Sequence, residues 1–135
     1  MKGSYILIAE LKDDLSISIG KKGKIKFYKG YYIYIGSAVN GLEKRIQRHL
    51  RDDKKMHWHI DYLLKYAIIR DVFYKESRYK EECDIAKGLD KNLISIKGFG
   101  CSDCKCESHL FYGSKDCIRR IINELGMLRF CNEKT

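Results

Sequence analysis

Four runs suited to β-structure crowd into the first 36 residues, and they constrain the fold more than any other feature of the chain. Residues 4–11, SYILIAEL, are rich in β-formers and predict a first strand, ended by a polar break at residues 12–14. LSISIG and KIKFY each alternate apolar and polar residues around a Gly-containing KKG turn, which predicts a hairpin. After Gly30, YYIYIG predicts a further strand with Tyr32, Tyr34 and Gly36 on one face and Tyr31, Ile33 and Ile35 on the other. The small residues of GSAVNG end it.

A different period follows. In LEKRIQRHL, Leu42, Ile46 and Leu50 recur at helical spacing, so one face packs on the sheet, while Arg45 and His49 flank that apolar stripe one turn apart. DYLLKYA predicts a helix, IRDVFY a strand and residues 79–89 a short helix. GFGCSDCKCESHLFYG predicts a loop ending in a strand, and DCIRRIINEL an amphipathic C-terminal helix. The expected assembly is one α+β domain over residues 1–135, a small, mainly antiparallel sheet flanked by helices, with an inserted hairpin and a Cys-rich loop. At 135 residues there is room for one core and no second domain of ordinary size.

The formal charge of +9 makes polyanions the leading class of partner. Almost all of the excess lies in one stretch: residues 1–20 carry −1, residues 21–58 carry +8 and residues 59–135 carry +2. The same stretch contains YYIYIG and the helix after it. The N-terminus has no basic segment leading into a long apolar run, and no run approaches the roughly 18 apolar residues that cross a bilayer. A cytoplasmic, reducing setting without membrane attachment is therefore expected, in which the six cysteines suggest metal binding or packing rather than disulfides.

The order Gly3-Ser4-Tyr5 on a first strand, Tyr34-Ile35-Gly36 on a later one, then Leu42, Arg45 and His49 on a helix resembles the GIY-YIG nuclease superfamily. GYYIYIGSAVNGLEKRIQRHL carries most of the likeness. With KKMHWHIDYLL, Glu82-Cys83 and GFGCSDCKCESHLFYG, the chain is similar to a branch of that superfamily sometimes fused to endonuclease III-type repair enzymes. The resemblance implies a divalent-metal-dependent endonuclease acting on nucleic acid, DNA rather than RNA, in repair or processing. It places a nucleophile-activating role on Tyr5, a supporting role on Tyr34, phosphate binding on Arg45 and a Mg2+ or Mn2+ ligand on Glu82. An inserted hairpin separates Tyr5 from Tyr34, and Tyr31 and Tyr32 compete for a role.

The chemistry fits these residue types. Phosphodiester hydrolysis needs an activated water, cations facing the charge that grows on the phosphorus oxygens, and a stabilised leaving alkoxide. A phenol that titrates near about 10 needs neighbouring cations to act at neutral pH. On a helical wheel, at about 100° per residue, Glu82 falls inside a stripe formed by Tyr79, Cys83, Ile85, Ala86 and Leu89, and Glu81 turns toward water. An inward carboxylate needs a partner, either a cation in a salt bridge or a metal. His49 or His59 could serve as general base or stay structural. Lys44, Arg48, Lys54, Lys55 and His59 are expected to contact phosphates, with exposed tyrosines available for stacking.

Cys101, Cys104, Cys106 and His109 form C-x2-C-x-C-x2-H, a donor set able to close a zinc site and give the loop a fixed shape. The competing readings are a buried thiol cluster, or Asp103 and His109 as polar residues near a nuclease site. Cys83, Cys117 and Cys131 are expected to pack as small hydrophobes. A non-catalytic nucleic-acid-binding module on a nuclease-like scaffold is the alternative to the enzyme.

Overall fold

A computed structural model describes residues 2–38, 40–51, 54–56, 58–77, 81–99 and 108–131, with Glu82, Cys83 and Asp90 described by backbone alone. The two long strands predicted around the hairpin are β1 (Gly3–Leu11) and β4 (Gly30–Ala38). They pair antiparallel over their whole length, Tyr5 opposite Gly36 and Leu7 opposite Tyr34. Between them, β2 (Leu15–Ser18) and β3 (Lys24–Phe27) form the expected hairpin around a single 3-10 turn at Gly20–Lys22. The hairpin is a two-stranded sheet of its own and adds no strand to the main one.

The main sheet is completed by β5 (Ile68–Glu76), β6 (Ile94–Ser95), β7 (Leu110–Gly113) and β8 (Leu128–Arg129), in the order β6-β7-β4-β1-β5-β8 with every pairing antiparallel. β1 and β4 are central, and every described position of β1 except Glu10 is buried. Among the described residues, four helices cover the sheet: α1 (Leu42–Leu50), α2 (His59–Leu64), α3 (Glu82–Asp90) and α4 (Lys115–Leu125). The chain is thus a small single-domain α+β fold.

The alternation of the strands sorts the helices. One face, built on Tyr5, Leu7, Tyr32 and Tyr34, packs against α1, α2 and the hairpin; Ile17, Ile19 and Phe27 of the hairpin segment are buried there. The other face, built on Ile6, Ile8, Ile33 and Ile35, packs against α3 and α4. Period-2 strands buried on both sides need apolar residues at even and odd positions, and SYILIAEL and YYIYIG supply them.

The helix ends follow local chemistry. α4 starts at Ser114, whose hydroxyl accepts from the Cys117 N–H, and stops at Gly126, left-handed at φ 64°. At the start of α1, Gly41 holds φ 65°, which a side chain would strain. The structure corrects three details of the sequence reading. His49, expected at the flank of the α1 stripe, is part of it: Leu42, Ile46 and His49 are buried and Leu50 is only partly so. Cys131, expected to pack, is exposed, while Cys117 packs at the margin of the α4 core. Finally, β6 and β8 were not expected; at two residues each they are too short to show a period.

Candidate functional site

β1 and β4 bring Tyr5 and Tyr34 to the same face, their ring centroids 6.5 Å apart. Tyr5 can lie there because its cross-strand partner is Gly36: a Cβ on Gly36 would come within 2.3 Å of the Tyr5 ring and hydroxyl. The glycine therefore makes room for a phenol, with no need for a special backbone angle. α1 crosses this face and lowers His49 onto it, so that the Tyr5 hydroxyl lies 2.7 Å from His49 Nε2. The His49 ring also packs near Tyr34 at 6.1 Å and Trp58 at 5.5 Å.

Burial sets the electrostatics of this pair. Tyr5 and His49 are each 2% exposed. Burial lowers the His49 pKa to about 4; Asp61 opposes the shift, and Arg48, Lys54 and Arg45 add to it. The imidazole is neutral at pH 7, and a neutral ring can donate to or accept from a phenol through Nε2. Its Nδ1 is buried without a hydrogen-bond partner among the described residues, as is Ser4 Oγ one residue before Tyr5. Such atoms carry a desolvation cost that the surrounding packing has to offset.

A cationic shell surrounds the pair. Arg45 Nη1 donates to the Ser37 carbonyl at 2.6 Å and its guanidinium lies 5.1 Å from the Trp58 ring centre. Arg48 lies closer to Trp58, at 4.2 Å, and holds Asp61 through two nitrogens at 3.0 and 3.1 Å while also donating to the Lys55 carbonyl. Asp61, 1% exposed, in turn accepts from the Trp58 N–H. Lys54 donates to the carbonyls of His49 and Arg51 at the end of α1, where cations are favoured. Trp58 thus lies beside Arg45, Arg48 and His49.

Tyr32 lies on the same face as Tyr34. Its hydroxyl donates to the Tyr28 carbonyl and accepts from the Tyr28 N–H, and burial pushes its phenol well above the ordinary value. A phenol tied to backbone at both lone pair and proton braces the strand. Tyr31 lies on the opposite face, against the α4 core.

The model of a family described as a domain of unknown function, DUF123, matches residues 4–128. The chain belongs to the DUF123 family. No curated protein and no solved structure matches it. The matched stretch runs from β1 into β8, so the Tyr5, Tyr34, Arg45 and His49 group lies wholly inside the DUF123 domain.

The other residues singled out in the sequence differ in what surrounds them. Within the DUF123 fold, Glu82, described by backbone alone, opens α3, and Ala86 and Leu89 of that helix pack on the sheet face opposite Tyr5. Its neighbour Glu81 pairs with Lys75 at 3.2 Å. His59 starts α2 with its ring 5.5 Å from Phe99; burial and then Lys22 lower its pKa. Lys44 and Lys55 are exposed, whereas Arg48 and Lys54 are engaged inside the domain as above. His109 is buried, its N–H donating to the Phe99 carbonyl and its carbonyl accepting from Ile35. Cys101, Cys104, Cys106 and His57 lie outside the described residues, among which no group of three or more His, Cys, Asp or Glu could hold a metal.

Phe99 and Trp58 were missed in the sequence, and Asp61 stood out there only within the string KKMHWHIDYLL. Phe99, fully buried, packs edge-on against Phe27 and Tyr34. Trp58 and Asp61 form a turn that holds Arg48; an aromatic residue three before an acid at a helix start, Trp58-His-Ile-Asp61, is the signal that could have revealed it.

Proposed function

We propose that the chain is a divalent-metal-dependent endonuclease that hydrolyses phosphodiester bonds of nucleic acid, DNA in preference to RNA, in repair or processing. The observation that carries this reading is the 2.7 Å contact between Tyr5 and a neutral His49, with Tyr34 beside it and Arg45 one turn earlier on the same helix. When Tyr5 takes a proton from an attacking water, His49 can take the phenol's own proton, so the pair relays it without a free phenolate. Arg45 would exchange the Ser37 carbonyl for a phosphate oxygen, a stronger, charge-assisted bond. Glu82 would hold Mg2+ or Mn2+, ions that take one or two carboxylates and complete their shell with water and phosphate oxygens.

The test is a panel of nicked, branched, abasic and single-stranded DNA with Mg2+ or Mn2+. Cleavage is expected, and Tyr5→Phe, Arg45→Ala and Glu82→Ala should each slow it by about 100-fold or more. Cleavage that survives Arg45→Ala and Glu82→Ala unchanged would overturn the assignment.

A second reading has its own support. The Tyr5–His49 pair lies beneath the surface, which suits a module that holds nucleic acid without cutting it. It predicts salt-dependent binding and no product with either metal. Elemental analysis of untagged protein separately reports on the group Cys101, Cys104, Cys106 and His109; stoichiometric zinc would make that loop a structural element of either version.

A further inference from the structure

On the sheet face away from Tyr5, a pocket of about 450 Å³ opens between α4 and the strands β1, β4 and β5. Its floor is apolar and partly aromatic, from Ile8, Tyr31 and Phe73, and its wall is the Ile118 and Ile122 side of α4. A bulge helps to shape it. The register between β1 and β5 slips after Ile8, where Ile8 faces Asp71 and Ala9 faces Ile69, so Arg70 is an extra residue and both Arg70 and Asp71 border the same pocket.

The charges at the rim divide into spent and unspent. Arg70 is held by Glu10 at 2.7 Å, and Asp71 by Arg129 at 2.9 Å. Lys115 and Arg119 also border the pocket and have no carboxylate partner among the described residues; Lys115 Nζ sits 5.8 Å from the Tyr31 ring centre. Asn123 adds an amide that can both donate and accept. Two uncompensated cations beside an aromatic floor match a ligand with an anionic group at one end and a flat, weakly polar body at the other. The volume lies within the roughly 300–1,000 Å³ of small-molecule sites.

We propose that this pocket binds a nucleoside monophosphate, its phosphate between Lys115 and Arg119 and its base on Tyr31 and Phe73, within reach of the Asn123 amide. The site is on the opposite side of the sheet from the Tyr5–His49 pair and does not depend on the chain being a nuclease. Lys115 and Arg119 are exposed, so changing them leaves the core intact.

Titration of 15N-labelled protein with AMP, adenosine and inorganic phosphate, followed by amide chemical shifts, tests it. AMP should give saturable shifts at Ile8, Tyr31, Phe73 and along residues 115–123, with a Kd between about 10 μM and 1 mM. Adenosine and phosphate should each bind about tenfold more weakly, and Lys115→Glu and Arg119→Glu should each weaken AMP by about tenfold at unchanged Tm. Absence of saturable shifts, equal affinity for adenosine, AMP affinity unchanged in both charge reversals, or shifts confined to the lysines of the hairpin would each overturn the proposal.

Discussion

Because burial keeps the His49 imidazole neutral, pH becomes a direct probe of its surroundings. Above about pH 6.5 the ring is neutral whether the chain is folded or not. Between the unfolded value of 6.5 and the folded value of about 4, only the unfolded chain takes up the proton. Stability is therefore fully present above 6.5, falls as pH drops through that window and levels off below it, by roughly 3 kcal/mol for this group. Urea midpoints measured across the window should show the loss, and His49→Gln should flatten its slope. Gly36 offers a steric test of the same cluster. Gly36→Ala drives a methyl into the Tyr5 ring, so about 1–3 kcal/mol of stability should be lost, and the Tyr5–His49 contact with it, read as a lower Tm and an altered His49 NMR shift. At this scale the sequence placed the tyrosines correctly but not the depth of His49. Positions 42, 46 and 49 share a helical stripe, yet a histidine there reads as polar until a partner such as Tyr5 is seen.

Among the elements, the hairpin segment carries five of the eleven basic residues that the sequence locates between residues 21 and 58. Its inner face buries Ile17 and Phe27; its outer face pairs Ser16 with Lys26 and Ser18 with Lys24, and Lys21, Lys22 and Lys29 are exposed nearby. If nucleic acid lies on that face, Lys24→Ala with Lys26→Ala weakens binding for all sequences alike and reduces the slope of log K against log salt by about 2. Fluorescence anisotropy with labelled DNA at several salt concentrations measures this. The long strands, the hairpin, α1 and α4 were readable because each repeats its period over enough residues. The partners of Arg48 and Lys54 were not, since a basic residue at a helix surface looks alike whether it faces phosphate, Asp61 or a carbonyl.

Across the whole molecule, the central strands separate two cores, and the hairpin belongs to one of them. Phe27 is 1% exposed and touches Tyr32 and Phe99, elements far apart in sequence. Phe27→Ala should cost about 3–5 kcal/mol, visible as a lower denaturation midpoint in a single cooperative transition. If the hairpin were an independent appendage, the midpoint of the main domain would not move. The α+β architecture was legible from the spacing of apolar residues, but the assignment of the hairpin to the Tyr5 face was not, because it depends on tertiary contacts that no local pattern records. The sheet also ends in two very short strands, β6 and β8, in a chain with no proline to guard its margins. Among the described residues β8 covers β5 only at Phe73 and Tyr74, so the rest of that nine-residue edge is guarded by the charges of Arg70, Asp71, Lys75 and Glu76 and not by a partner strand. Self-association by strand addition, and with it the seeding of fibrils, is opposed at that edge by charge and not by a shortage of backbone.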